Sequence, residues 1–218
     1  DGDDSQARAQ VLALAQGLIR QAPLDLRINA VKTSRDEARA RLAADGIAVT
    51  ETPFSPYGLR VSGKPPVNRH PLFVTGALEV QDEGSQLLCV LLGVKRGEMV
   101  ADFCAGAGGK TLAIGMMMRS TGRLNAFDIS ANRLERLKPR LARSGLSNVH
   151  PRRIENEKDV KLSRLAGKLD RVLVDAPCSG LGTLRRNPDL KWRQTPAAIM
   201  EMQAKQFSIL NHASALVR

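Results

Sequence analysis

The chain has 218 residues, 43% of them hydrophobic and 25% charged, a balance that excludes disorder and fibre and suits one good core or two modest ones. No run approaches the roughly 18 apolar residues of a membrane span, and the acidic start Asp1-Gly2-Asp3-Asp4 does not resemble a secretory signal, so a cytoplasmic protein is expected. The net charge of +11 is uneven: residues 1–99 hold 12 basic and 12 acidic side chains, residues 100–218 hold 21 and 10, which points either to a polyanionic partner or to a solvated basic surface.

In chain order, Val11, Leu14, Ala15, Leu18 and Ile19 recur at helical spacing, and Pro23 closes that helix. Leu24 to Asn29 reads as a strand. Ser34 with Glu37 forms a capping box that opens a helix to about Ala44, and Ile47 to Glu51 reads as a short strand. Pro53, Pro56-Tyr57-Gly58 and Gly63-Lys64-Pro65-Pro66 then punctuate the chain, which places a domain boundary between about 63 and 80. From residue 81 strands and helices alternate: helix 81–92, strand 98–103, helix 109–118, strand 123–127, helix 131–143, strand 149–154, helix 158–166, strand 171–174 and a last helix from Pro196. Such alternation belongs to a doubly wound, Rossmann-like parallel sheet.

Asp102-Phe103-Cys104-Ala105-Gly106-Ala107-Gly108-Gly109-Lys110-Thr111 joins a strand to a helix, where glycines let backbone N–H groups approach a ligand. A phosphate loop needs glycine where Cys104 stands, and a dinucleotide fingerprint needs a third glycine or alanine where Thr111 stands. A strand-end carboxylate beside a glycine turn suits a ligand with an amino group and a carboxylate, such as S-adenosylmethionine. Asp128 ends the next strand, where a carboxylate can accept both ribose hydroxyls. The competing reading is a turn that is structural only.

The fourth strand runs into Asp175-Ala176-Pro177-Cys178-Ser179-Gly180. Carbon 5 of cytosine is a poor nucleophile; a thiolate adding at carbon 6, with protonation near N3, makes it able to attack a sulfonium methyl. Cys178 is the accessible thiol and Asp175 the carboxylate for N3 and N4, whereas Cys104 and Cys89 read as packing residues. His70, His150 and His212 show no ligand spacing, and three cysteines without a C-x-x-C pair argue against zinc, so no metal is expected. Seven aromatics are too few for a base-stacking sheet, which leaves shape and phosphate contacts. Arg185, Arg186, Lys191 and Arg193, with Trp192, follow the Asp-Ala-Pro-Cys loop and could guide a phosphate backbone. Helix 131–143 sets Leu134, Leu137 and Leu141 on one stripe and Arg133, Arg136, Arg140 and Arg143 on another, an RNA ridge or a solvated face, and Pro139 should kink it.

Gln81-Asp82-Glu83-Gly84-Ser85-Gln86, the Asp102–Thr111 loop, Asp128 with Arg133, and DAPCSGLGTLRRNPDLKWR over Asp175 to Arg193 together resemble the NOL/NOP/Sun family of RNA cytosine-5 methyltransferases, closest to its RsmB-like ribosomal RNA members. After the N-terminal helix (1–22), the resemblance implies a small RRM-like α+β domain (23–75) and a Rossmann-like methyltransferase domain (76–218), with 5-methylcytosine in ribosomal RNA as product. It implies that Cys104, Ala105, Gly106, Ala107, Gly108, Gly109 and Lys110 wrap the methionine end of S-adenosylmethionine. Asp128 would hold the ribose with Arg133 nearby, Glu155 or Asn156 would meet the adenine, and Asp175 would contact donor or target base. Cys178 would help release the product. The family's attacking thiol comes from a Thr-Cys pair on a strand after the last helix here, so the expectation is a sheet cut short and a chain that lacks its nucleophile; a lesser alternative makes Cys178 the nucleophile. Beside the enzyme stands the alternative of a donor- and RNA-binding module without turnover.

Overall fold

The computed structural model describes residues 2–218. It divides into two compact units: the residues up to Pro23 with Pro177–Lys205, and Leu24–Ala176 with Gln206–Arg218. The first holds α1 (Gly2–Ile19), whose apolar positions Val11, Leu14, Leu18 and Ile19 are exposed. No described helix is long and apolar enough to cross a membrane.

The second unit begins with a four-stranded antiparallel sheet: β1 (Leu24–Ile28), α2 (Arg35–Ala44), β2 (Val49–Glu51), β3 (Gly58–Val61), α3 (Pro71–Val74) and β4 (Leu78–Val80) in chain order. The strands lie in the order β2-β3-β1-β4, the split βαβ arrangement of ferredoxin-like domains. The capping box forms as expected, Ser34 accepting from the Glu37 N–H and the Glu37 side chain from the Ser34 N–H. Leu26, Ile28, Leu42, Leu59, Leu72 and Leu78 close this sheet's core against its helices.

Two strands here were not anticipated, and one moves the boundary. β4 pairs antiparallel with β1, Leu26 opposite Val80 and Ile28 opposite Leu78, so the sheet extends beyond residue 75, where the sequence reading ended the small domain. Strands of three or four residues set among prolines and glycines carry too little alternation to be read from sequence.

There follow α4 (Glu83–Leu92), β5 (Met99–Asp102), α5 (Gly109–Met117), β6 (Arg123–Asp128), α6 (Ala131–Ser144), β7 (Val149–Arg153), α7 (Val160–Ser163), β8 (Arg171–Leu173) and α8 (Pro196–Ser214). β5 to β8 form a wholly parallel sheet ordered β7-β6-β5-β8. Alternate residues of its strands serve opposite faces. Val100, Leu124 and Ala126 join Cys89, Leu112, Met116, Leu134 and Leu137 on one side, while Ala101, Phe103 and Phe127 meet Ile154, Leu162, Ile209 and Ala213 on the other. The chain steps outward from β5 to β6 and β7, then returns to place β8 on the far side of β5. That reversal opens a crevice at the carboxyl ends of β5 and β8, the usual ligand position in such sheets.

Candidate active site

Every strand of the parallel sheet points the same way, so the segments after β5, β6, β7 and β8 emerge along one edge. The glycine loop leaves β5 and turns into α5 through Gly106 and Gly108, both at positive φ (+56° and +85°). At Gly108 a Cβ would lie 2.1 Å from Leu137 Cδ1, so a side chain there would strain the backbone and displace Leu137. At Gly106 a Cβ would meet nothing within 4 Å, which leaves the loop's outer side open for a ligand. Gly108, the N-cap of α5, supplies no side chain, so the first N–H groups of a nine-residue helix have no side-chain cap.

Asp128 anchors this loop. Its Oδ2 accepts from the Gly106 N–H at 2.8 Å and its Oδ1 from the Ser130 N–H at 2.7 Å, and the side chain is buried. Asp102 is fully buried; its Oδ2 accepts from the Thr111 hydroxyl at 2.7 Å while Oδ1 has no hydrogen-bond partner. Burial pushes its carboxyl up to about 6, against the pull of the Thr111 hydroxyl. Asp102 therefore braces the first turn of α5 from beneath, whereas the sequence reading set it beside the ligand. Across the crevice, Lys110 Nζ meets Asp175 Oδ2 at 2.6 Å, the lysine partly buried and the aspartate exposed.

The other expected residues divide. Glu155 and Asn156 follow β7 on the same edge, both exposed; the Glu155 N–H donates to the Asp159 carboxylate, and the Asn156 side-chain Oδ1 accepts from the Lys158 N–H. Arg133 is exposed in the first turn of α6, its N–H donating to the Ser130 hydroxyl. Cys104 is partly buried against the Phe103–Phe127 core, and Cys89 is fully buried, its thiol raised to about 11 mainly by burial. Cys178 is exposed, in the unit that also holds Arg185, Arg186, Lys191 and Arg193. There Arg186 donates to the Pro23 carbonyl, Arg193 pairs with Asp189 at 2.7 Å, and Lys191 stands 4.9 Å from the Trp192 ring.

The arginine ridge of α6 needs correction. Arg140 and Arg143 are only partly exposed and turn their guanidinium groups to Glu79 of β4: Arg140 Nη2 lies 2.8 Å from Glu79 Oε2, and Arg143 Nη2 lies 2.6 Å from Oε1. Arg140 Nη1 also donates to the Ala107 carbonyl at 2.6 Å. From β1, Arg27 Nη1 donates to the Gly109 carbonyl at 2.8 Å and to Gln81 Oε1. Sequence reasoning passed over Arg27 and Glu79. The available signal was the alternation of Asp25 and Arg27 with Leu24, Leu26 and Ile28, which puts both charges on one face of β1; that face is buried against the second domain.

The Gln81–Gln86 block joins the two domains. Glu83 accepts from the Phe54 and Ser55 N–H groups, and Gln86 donates to the Leu26 and Gln81 carbonyls. At the end of α6, Asn29 Nδ2 donates to the Ser144 carbonyl and Lys32 Nζ to that of Arg143, capping orphaned helix carbonyls from the smaller domain.

A parallel sheet with an open glycine loop, an acid at the tip of the second strand and a lysine–aspartate pair across the switch point is the class of Rossmann-like methyltransferases. The profile of the family described as "16S rRNA methyltransferase RsmB/F" matches residues 89–218, and that of the RsmF/B-like ferredoxin-like domain matches residues 6–68. The chain belongs to the RsmB/F family, whose methyltransferases depend on S-adenosylmethionine. It is 36% identical over 218 residues to a Synechocystis protein named "Probable ribosomal RNA small subunit methyltransferase B", covering 99% of this chain and 48% of that one. It is also 36% identical over 191 residues to ribosomal RNA small subunit methyltransferase B of Pasteurella multocida, covering 86% and 42%. The chain thus spans about half the length of the curated relatives it matches. Among solved structures, a methyltransferase homologue from Pyrococcus horikoshii superposes with a TM-score of 0.80 at 29% identity, covering 94% of this chain and 64% of that one. NSun6 from the same organism, solved with SFG, superposes at 0.82 with 19% identity, covering 93% and 75%, and shares the fold.

Proposed function

We propose that the protein transfers a methyl group from S-adenosylmethionine to carbon 5 of a cytosine in RNA, small-subunit ribosomal RNA in particular, and that it works in the cytoplasm. The observation that carries the donor site is the Gly106–Asp128 bond, which fixes an open glycine loop between the tips of two adjacent parallel strands. Its residues fit the donor: the uncapped N-terminus of α5 suits the carboxylate of the methionine end, and the open side of Gly106 leaves room beside it. Asp128 keeps lone pairs for ribose hydroxyls, since a carboxylate offers about four acceptor sites and two are in use here. Glu155 or Asn156 meets the adenine. Bound there, the donor supplies an electrophilic methyl on a sulfonium.

Asp175 holds the exocyclic amine and N3 of the target base, with Lys110 fixing its carboxylate. Proton placement at N3 draws electrons from the ring and favours thiolate addition at carbon 6. The Cys178 thiol acts after transfer, when loss of the carbon 5 proton and expulsion of the attacking thiolate free the methylated base. Arg185, Arg186, Lys191 and Arg193 lie along the RNA backbone.

Calorimetry with S-adenosylmethionine tests the donor site, and methyl transfer to small-subunit RNA tests the reaction. A well-folded chain that binds no donor would end this reading. Donor and RNA binding without methyl transfer, in a protein of its relatives' full length, would favour a binding module.

A further inference from the structure

The glycine loop is held from outside its own domain. Arg27 and Glu79 are direct cross-strand partners on β1 and β4, so their side chains share one face of the antiparallel sheet. Both are buried, at 2% and 4% exposure, and that face abuts the loop. Glu79 aligns Arg140 through Nε and Nη2, which aims Nη1 at the Ala107 carbonyl; Arg27 reaches the Gly109 carbonyl two residues further on. Burying a guanidinium is costly. Arg27 falls to about 10 chiefly through desolvation, and its Nε has no partner. A buried fork aimed at loop carbonyls sets backbone orientation, because in a planar trans peptide fixing a C=O also fixes the following N–H. The bond to Ala107 sets the Gly108 N–H, which closes the turn on the Ala105 carbonyl at 2.9 Å. The bond to Gly109 sets the Lys110 N–H in the uncapped first turn of α5.

We infer that Arg140 and Arg27, aligned by Glu79, are positioning residues through which the ferredoxin-like sheet shapes the donor loop and sets donor affinity. This rests on the donor reading of Cys104–Lys110. Arg143 supplies the control. It pairs with the other oxygen of Glu79 and stacks 4.3 Å from the Phe73 ring centroid, yet it has no bond to the loop. Arg140→Met and Arg143→Met each break one arm of the same ion pair, and only the first releases the loop.

The 218-residue chain and these two variants are titrated with S-adenosylmethionine, and amide hydrogen exchange is followed over residues 105–110 without donor. Arg140→Met is expected to bind about tenfold more weakly, the factor carried by one charge-assisted hydrogen bond, with faster exchange at Gly108 and Lys110. Arg143→Met is expected to stay within about twofold of the parent, with a similar loss of thermal stability. Arg140→Lys, which keeps the charge but not the fork, should weaken donor binding in the same direction and carries the test if Arg140→Met does not fold. Parental affinity in the Arg140 variants, or equal weakening by Arg143→Met, overturns the inference while leaving the donor site standing. A parent chain that binds no donor overturns both.

Discussion

Asp128 accepts backbone N–H groups with both carboxylate oxygens, so it is a structural member of the loop as well as the ribose contact we propose. Asp128→Ala strands two N–H donors. We expect it to lower stability by about 1–3 kcal/mol in urea unfolding and to weaken S-adenosylmethionine binding by at least about tenfold in calorimetry. Asp102 makes a different prediction. Its folded-state value of about 6 lies above the unfolded value near 3.8, so the unfolded chain loses this proton first and Asp102 lowers stability as pH rises between those limits. Asp102→Asn should therefore gain stability relative to the parent as pH rises from about 4 to 6, read from unfolding midpoints across that range. Both acids were visible in the sequence as strand-end carboxylates. Their division of labour was not, because burial decides which one can face a ligand, and burial is a property of the assembled sheet.

α5 depends on the turn that precedes it. Gly108 combines a φ of +85° with Leu137 in the space a Cβ would need, so Gly108→Ala should cost about 2 kcal/mol or more in denaturant unfolding while distorting the donor loop. The parallel elements were legible in sequence because β5 and β6 are each followed by a helix of nine residues or more, with Leu134 and Leu137 of α6 buried as its apolar stripe requires; α7, at four residues, is shorter than the helix expected over 158–166. The opposite stripe of α6 misled. Helical spacing groups Arg133, Arg136, Arg140 and Arg143, but it carries no information about Glu79, more than fifty residues earlier, which receives two of them. β3 and β4 escaped notice for want of length, and with them went the topology that brings Arg27 beside Glu79.

Across the molecule the charge excess lies after residue 99, and part of it is already committed: Arg140 and Arg143 to Glu79, and Arg171 to Glu98. Counting charges therefore overstates what an RNA would meet. Arg185 and Lys191 are exposed in the segment after Asp175, and if they track phosphates, changing either to alanine should flatten the slope of log affinity for RNA against log salt by about 0.7–1. An unchanged slope would assign them to a solvated surface. The buried joint of Asn29, Glu83, Gln86 and Glu79 also ties the antiparallel sheet to the parallel one, and we expect the two to unfold together. Hydrogen exchange should report one common opening free energy for the cores around Leu26 and Leu124; two separate values would show independent folding.

That joint limits how such chains can be recombined. A different N-terminal module grafted in front of this parallel sheet would have to bring with it an arginine for the Gly109 carbonyl, an acid for Arg140, and an amide and an amine for the end of α6. A chimera chosen for its target preference alone would arrive without them, and the cofactor cradle would be the first part to slacken.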